Sequence, residues 1–331
     1  MTIEYARVYE EIAAAFRFER NGRLTHKHAG VKAPSPQVHP GSDVWRAWAT
    51  NSAWPIIYRW HYLRQMRIQP AVQGFRQLSE MEDPVFAGYL SAANRSAGFT
   101  EDGWTIVGRT GGEYLCDREG IRLRVNTSSL ETGDQQPELG EEVSVRFPAE
   151  RRYALANYYC TGGGRVKETD FRVYFHVKPE CAAWLVETLT EELARVNASY
   201  FFKILNHPGS FTRPDAAVLY MNKSELDHGR AVTKTIACRG GQAFRTQVPA
   251  FTRRLYPGVA VADEPPDLDG HRPSFGEHRS RIIALGLTRA AAESRSHVED
   301  IVTMLQNELR HEGIDPKRPF SSGERSAAAQ F

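Results

Sequence analysis

Residues 171–205 constrain this chain more than any other stretch. In "FRVYFHVK" (171–178), Phe171, Val173, Phe175 and Val177 alternate with Arg172, Tyr174, His176 and Lys178, the period-two pattern of a β-strand. Pro179 follows, and proline is at home in the first turn of a helix, where its missing N–H is not needed. "PECAAWLVETLTEELARVN" then sets Ala182, Leu185, Val186, Leu189 and Leu193 in one apolar stripe, suited to lie on a sheet. "FFKIL" (201–205) and "AAVLY" (216–220) resume strand character around the turn "NHPGSFTRPD". Strand, helix, strand, turn and strand in that order call for a sheet with packed helices, an α+β fold. The pattern of 171–178 assigns one face to the core and leaves the other available for chemistry.

The flanking sequence extends this frame. "IEYARVYEEIAAAF" repeats apolar residues at helical spacing (Ile3, Val8, Ile12, Phe16), and "DPVFAGYLSAANRSAGF" continues that character after a proline-bearing start. Between them "HAGVKAPSPQVHPGS" reads as a loop. From "GWTIVGRTGGEYLCDREGIRLRV" onward the period shifts to two, with Gly-Gly marking a hairpin, and "EEVSVRF" adds a strand. "TGGGR" (161–165) reads as a loop, 294–312 as an amphipathic helix and "SSGERSAAAQF" as a frayed tail. The resulting division is a mainly helical region over 1–100, a mixed or antiparallel sheet with packed helices over 101–320, and a flexible tail over 321–331.

Composition removes several functional classes. Among 331 residues, 42 Lys plus Arg face 40 Asp plus Glu, so no global field draws the chain to nucleic acid or an anionic membrane, and any anion site has to be local. Cys116, Cys160, Cys181 and Cys238 form no CxxC pair, and His26 and His28 have no third ligand near them in sequence, which argues against a metal centre. No GxxxxGK[ST], GxGxxG or GxSxG motif is present, nor the paired motifs of a protein kinase, so the chain shows no means of binding ATP and no cofactor is expected. Neither a signal-like start nor an apolar run of membrane-spanning length occurs; the expectation is a cytoplasmic protein.

What remains is a set of cations. On a strand, Lys203 shares its face with Phe201 and Leu205, an arrangement that also suits a lysine whose stem covers apolar surface while its ammonium reaches water. Arg172, Tyr174, His176 and Lys178 line one face of a nearby strand, Arg213 lies in the turn, and "SFGEHRSRII" adds His278, Arg279 and Arg281. Cations converging with few matching carboxylates suit a dianion; a solvated arginine rim is the competing description.

These blocks carry a resemblance. "YLSAANRSAGFTEDGW", "VSVRFPAERR", "FRVYFHVKPECAAWLVETLTEEL", "FFKILNHPGSFTRPDAAVLY", "PAFTRRLYPGVAVADEPP" and "SFGEHRSRII" resemble, in order and spacing, the HopA-like family over about residues 85–320. That family includes type III secreted effectors and the lyase components of class V lanthipeptide and thioviridamide-type biosynthesis. The resemblance implies β-elimination of phosphate from phosphoserine or phosphothreonine in a ribosomally made precursor peptide, leaving dehydroalanine or dehydrobutyrine. It also implies a separate kinase, similar to aminoglycoside phosphotransferases, as partner. Similarity to OspF-type phosphothreonine lyases implies Lys203 as base, with Tyr174 among the catalytic groups and Arg172, Arg213 and Tyr220 at the site; Arg172, Arg213 and Arg279 are expected to grip the phosphate through forked hydrogen bonds, with Tyr220 beside them. His278 is the candidate acid, because a histidine beside phosphate can hold its proton near neutrality. His176, Lys178 and Arg281 are alternates. For Lys203 to act as a base, partial burial and neighbouring arginines must lower its pKa. A non-catalytic effector that binds a host partner, and a kinase-activating subunit, are the competing functions.

Overall fold

A computed structural model describes residues 3–19, 22–30, 39–64, 82–131, 136–152, 154–166, 168–267, 273–323 and 326–331. Residues 31–38 of the expected loop lie outside them.

The described part of the first hundred residues is mainly helical, with α1 (Ile3–Ala15), α2 (Asp43–Ile56) and α3 (Pro84–Ala93), plus a short hairpin of β1 (Phe16–Phe18) and β2 (Leu24–His26) that the sequence pattern did not reveal. Ser42 caps α2 by accepting from the Trp45 amide, and Asp83 caps α3 by accepting from Val85 and Phe86, with Pro84 at the first position. After Pro55 the helix widens into one π-helical stretch, Ile57–Tyr62, in which Tyr58 and Tyr62 stack with ring centres 5.3 Å apart.

Next comes a four-stranded antiparallel sheet, β3 (Phe99–Thr110), β4 (Glu113–Arg118), β5 (Ile121–Asn126) and β6 (Glu142–Phe147), in the order β5-β4-β3-β6. Gly111 and Gly112 form the expected hairpin turn; Glu119 and Gly120 form a second, both at positive φ as such two-residue turns require. Trp104, Ile106, Tyr114, Cys116, Leu130, Val143 and Val145 make a small core of their own.

The second sheet is larger: β7 (Tyr158–Gly163), β8 (Phe171–Phe175), β9 (Tyr200–Leu205), β10 (Ala217–Met221), β11 (Arg253–Tyr256) and β12 (Val259–Asp263), antiparallel in the order β11-β12-β8-β10-β9-β7. The "TGGGR" segment is therefore partly strand, not loop: Thr161, Gly162 and Gly163 pair with β9, and a Cβ on Gly162 would come 2.6 Å from the Tyr200 carbonyl. Helices α4 (Ala182–Arg195) and α5 (Leu226–Gly240) cover the face carrying Phe171 and Val173; Gly229 of α5 sits against the Phe171 ring. On the other face α6 (Phe275–Ala292) places Phe275 beside Tyr174 and packs in turn on α2 and on α7 (Val298–His311). The amphipathic stripes read from sequence explain α4 and α7; α5, α6, β11 and β12 carried no comparable pattern.

Two expectations are corrected here. The face of β8 bearing Arg172, Tyr174 and His176 is not open, because helices cover both sides of this central strand and every residue of it is buried. Nor is the C-terminal segment frayed. The buried Asp263 carboxylate accepts from the Ser322 and Ala328 amides, Arg253 donates to the Ala328 and Ala329 carbonyls, and the Phe331 ring meets Phe171 edge-on. The N-terminal helices belong to the same core as the large sheet: Tyr5 donates to the Thr252 carbonyl and Tyr9 to the Pro316 carbonyl, both buried. No described helix is long and apolar enough to cross a membrane.

Candidate functional site

Directly opposed residues of an antiparallel pair point to the same side. Through the register of the large sheet, Arg172 opposes Tyr220, Tyr220 opposes Phe201, and Lys203 opposes Val218 and Cys160, so Arg172, Tyr174, Tyr220, Phe201, Lys203 and Tyr158 share one face. Along it, cations and phenols alternate. The Arg172 guanidinium lies 5.0 Å from the centre of the Tyr220 ring, and Lys203 Nζ lies 5.3 Å from that ring and 4.7 Å from the Tyr158 ring. Arg213 follows, donating to Tyr58 Oη at 3.3 Å, which the π-helical stretch delivers to this end of the sheet. An ammonium between two ring faces is stabilised by their quadrupoles by about 0.5–2 kcal/mol each. That is how an apolar strand houses Lys203.

Two of the arginines are already neutralised. Arg172 closes on Glu264 with both ends of its fork, Nε to Oε2 at 2.7 Å and Nη2 to Oε1. Arg213 closes on Asp215, with Nη2 2.6 Å from Oδ2 and Nε bonded to Oδ1. Among the described residues neither Lys203 nor Arg151 forms an ion pair; the Arg151 guanidinium lies 5.1 Å over the Phe99 ring, with the Glu101 charge acting on it from farther off. Burial lowers the Arg151 pKa.

A cavity of about 320 Å³ opens at this point, lined by Arg151, Leu155, Val166, Thr169, Tyr200, Phe201, Tyr220 and Glu264. A larger one, about 490 Å³, adjoins it through Thr169 and Glu264, but Glu168, Asp170, Asp263 and Asp267 line it together with Lys223, so its field repels anions. The smaller cavity is the candidate site for a negatively charged ligand.

Of the residues singled out from sequence, Tyr220 alone is among those lining this cavity. Lys203, Arg172 and Arg213 stand behind it. Tyr174 is buried beneath Phe275 and beside Tyr62. The condition set for Lys203 as base is not met: burial presses its pKa down, but Tyr220 and Tyr158 outweigh that and leave it above the ordinary lysine value, with Arg172 acting downward. His278 does not meet the condition for an acid. It is buried, takes a hydrogen bond from Arg279 at its Nδ1, and is pushed down to about 4 by burial and by the Arg279 charge, so it is neutral at pH 7. Arg279 is fully buried and donates to the Pro319 and Ser321 carbonyls, which makes it a clamp on the chain, not a phosphate ligand. Arg281 is exposed, paired with Glu277 and laid over Trp54. His176 is buried with Nδ1 on the Gln247 carbonyl, and Lys178 begins the turn into α4.

Three participants carried no sequence signal: Arg151, Tyr158 and Glu264. Each reaches the site through pairing of distant segments. The Arg151 amide bonds to the Cys160 carbonyl along the outer edge of β7, and the Glu264 amide bonds to the Asp170 carbonyl. The histidines of "THKHAG" also gain a neighbour, His61, whose Nε2 is 3.3 Å from His26 Nε2. His26 Nδ1 accepts from the His28 amide, which puts the proton of the neutral ring on Nε2, facing His61. Among the described residues no group of three or more His, Cys, Asp or Glu is placed to hold a metal ion.

The family model of the HopA1 effector proteins matches residues 151–320. Among solved structures, the effector protein from Pseudomonas syringae pv. syringae strain 61 is similar at 13% identity and a TM-score of 0.46, covering 86% of this chain and 99% of that one. The effector protein from Pseudomonas syringae pv. tomato strain DC3000 is similar at 14% identity and a TM-score of 0.43, covering 83% and 99%. No curated protein matches the chain.

Proposed function

The chain belongs to the HopA1 effector protein family, and from that premise we propose that it is a lyase that expels phosphate from phosphoserine or phosphothreonine in a peptide. The observation that carries this reading is the charge balance around the 320 Å³ cavity: Arg172 and Arg213 are held in ion pairs by Glu264 and Asp215, while Lys203 and Arg151 form no ion pair among the described residues. Two cations free of an ion pair suit the dianion of a phosphate monoester. The elimination itself is redox-neutral. It needs removal of the Cα proton, charge neutralisation on the leaving phosphate, and a group that carries the proton.

In this scheme Arg151 meets the phosphate from the cavity wall and Lys203 acts from behind Tyr220. Arg172 and Glu264 hold each other and fix the edge of the ring. The resemblance to lanthipeptide and thioviridamide lyases supports a ribosomally made precursor peptide as substrate, with dehydroalanine or dehydrobutyrine as product. Phosphate would come from a separate aminoglycoside-phosphotransferase-like kinase.

The test is incubation of the purified protein with a peptide pre-phosphorylated on Ser or Thr, read by mass spectrometry. Loss of phosphoric acid is expected, with no change in the unphosphorylated peptide. A phosphopeptide left intact rules out the lyase. Binding without turnover would support a second reading, a non-catalytic effector or kinase-activating subunit, which one feature favours: both forked arginines on this face already hold internal carboxylates.

A further inference from the structure

Within the proposed elimination, the proton has to be taken by an atom that reaches the substrate. Tyr220 is on the cavity wall; Lys203, Tyr174 and His278 are not among the residues that line it. Tyr220 is also the residue that the two buried cations flank. Arg172 lies 5.0 Å from its ring centre, and Lys203 Nζ lies 5.3 Å from it. Its backbone is fixed on both sides, paired with Arg172 on β8 and Phe201 on β9, so the ring stands on a central strand and not on a loop.

Resting on the lyase reading, we propose that Tyr220 is the catalytic base, its Oη the working atom and the Lys203 ammonium the charge that flanks its ring. Oη enters the reaction as the phenolate, its proton having left to solvent. Oη takes the Cα proton of the phosphorylated residue. The C–H electron pair becomes the Cα=Cβ double bond, the Cβ–O bond breaks, and its electrons leave on the phosphate, beside Arg151. The phenol proton returns to solvent after product release, which restores the starting state with no other reactant. Lys203 never touches the substrate in this scheme. It is a positioning residue that keeps a positive charge beside the phenolate.

This assignment and Lys203 as the direct base predict opposite mutant patterns. With a pre-phosphorylated Ser peptide as probe, Tyr220→Phe keeps the ring between its two cations but removes Oη, and it should lower kcat by about 10²- to 10⁴-fold with phosphopeptide affinity nearly unchanged. Lys203→Arg preserves the charge and should retain turnover within roughly tenfold, with the alkaline limb of the kcat–pH profile displaced, whereas Lys203→Met should lose on the order of 10²-fold. A wild-type protein that turns over phosphopeptide while Tyr220→Phe keeps its rate overturns the assignment and leaves the lyase reading standing. So does an inactive Lys203→Arg beside a mildly affected Tyr220→Phe. A wild-type protein that binds but never eliminates overturns both.

Discussion

The two large sheets of this chain treat charge in opposite ways. In the four-stranded sheet β3–β6 the pairs of Arg122 with Asp117 and Arg146 with Glu131 lie at the surface, Glu101 is largely buried between Arg118 and Arg165, and one small apolar core holds the strands together. The six-stranded sheet β7–β12 is covered on both faces, so Arg172 on its central strand is paired inside the protein with Glu264, and His176, just past that strand, spends Nδ1 on the Gln247 carbonyl and keeps a buried Nε2 with no hydrogen-bond partner among the described residues. An exposed ion pair on the first sheet is nearly neutral to stability. On the second a buried charge such as Arg172 has to be paired, and that pairing helps assemble the cavity wall. Charge becomes chemistry only where the fold cannot discard it to solvent.

Acid should break this contrast most severely. His26 and His278 are pushed down to about 4 and His61 to about 3, chiefly by burial, and residues 99–147 contain no histidine. Each is neutral in the folded chain and regains its ordinary value near 6.5 when unfolded, so below pH 6.5 the unfolded state binds more protons. Stability should be intact above that pH and fall as pH drops toward 4, by roughly 1.4 kcal/mol per pH unit for each histidine. Urea melts between pH 7.5 and 4.5 measure the slope. Hydrogen exchange should show protection lost from β8–β12 before β3–β6, and a flat profile would remove the histidines from the account.

The next effect is smaller and more local. Glu264→Ala leaves the buried Arg172 guanidinium without its carboxylate and should cost about 3–5 kcal/mol. Arg122→Ala, which breaks an exposed pair on the four-stranded sheet, should stay within about 0.5 kcal/mol. The two unfolding midpoints, measured side by side, sharpen the comparison; equal losses would end it.

Much of the fold could be read from local pattern. The alternation in "FRVYFHVK", the stripe in α4 and the Gly-Gly turn each describe a contact within a few residues, and each element stands where those contacts put it. The site was legible only as a list of cations. Whether Arg172 is free or paired depends on Glu264, 92 residues away, and whether Lys203 is deprotonated depends on Tyr158 and Tyr220 brought beside it by the register of β7, β9 and β10. A period of two says which residues share a face; it does not say what lies over that face. Burial and the Arg172 charge press the Lys203 pKa down, as its apolar neighbours and the nearby arginines lead one to expect, but the phenols of Tyr220 and Tyr158 outweigh them. Arg151 follows a masking Pro-Ala-Glu stretch that carries neither helical nor strand periodicity, so only the pairing of its amide with Cys160 places it at the cavity.

The end of β12 carries a mutational consequence. Asp263 and Glu264 are neighbours in sequence with their carboxylates on different duties: the first seats residues 322 and 328, the second holds Arg172 at the cavity. Successive strand residues point to opposite sides, so a slip of β12 by one position would exchange the two acids and abolish both attachments at once. An insertion or deletion in the 257–258 turn would therefore be inherited as a defect in two places, at Arg172 and at residues 322 and 328, and a compensating change at either one alone would not restore the other.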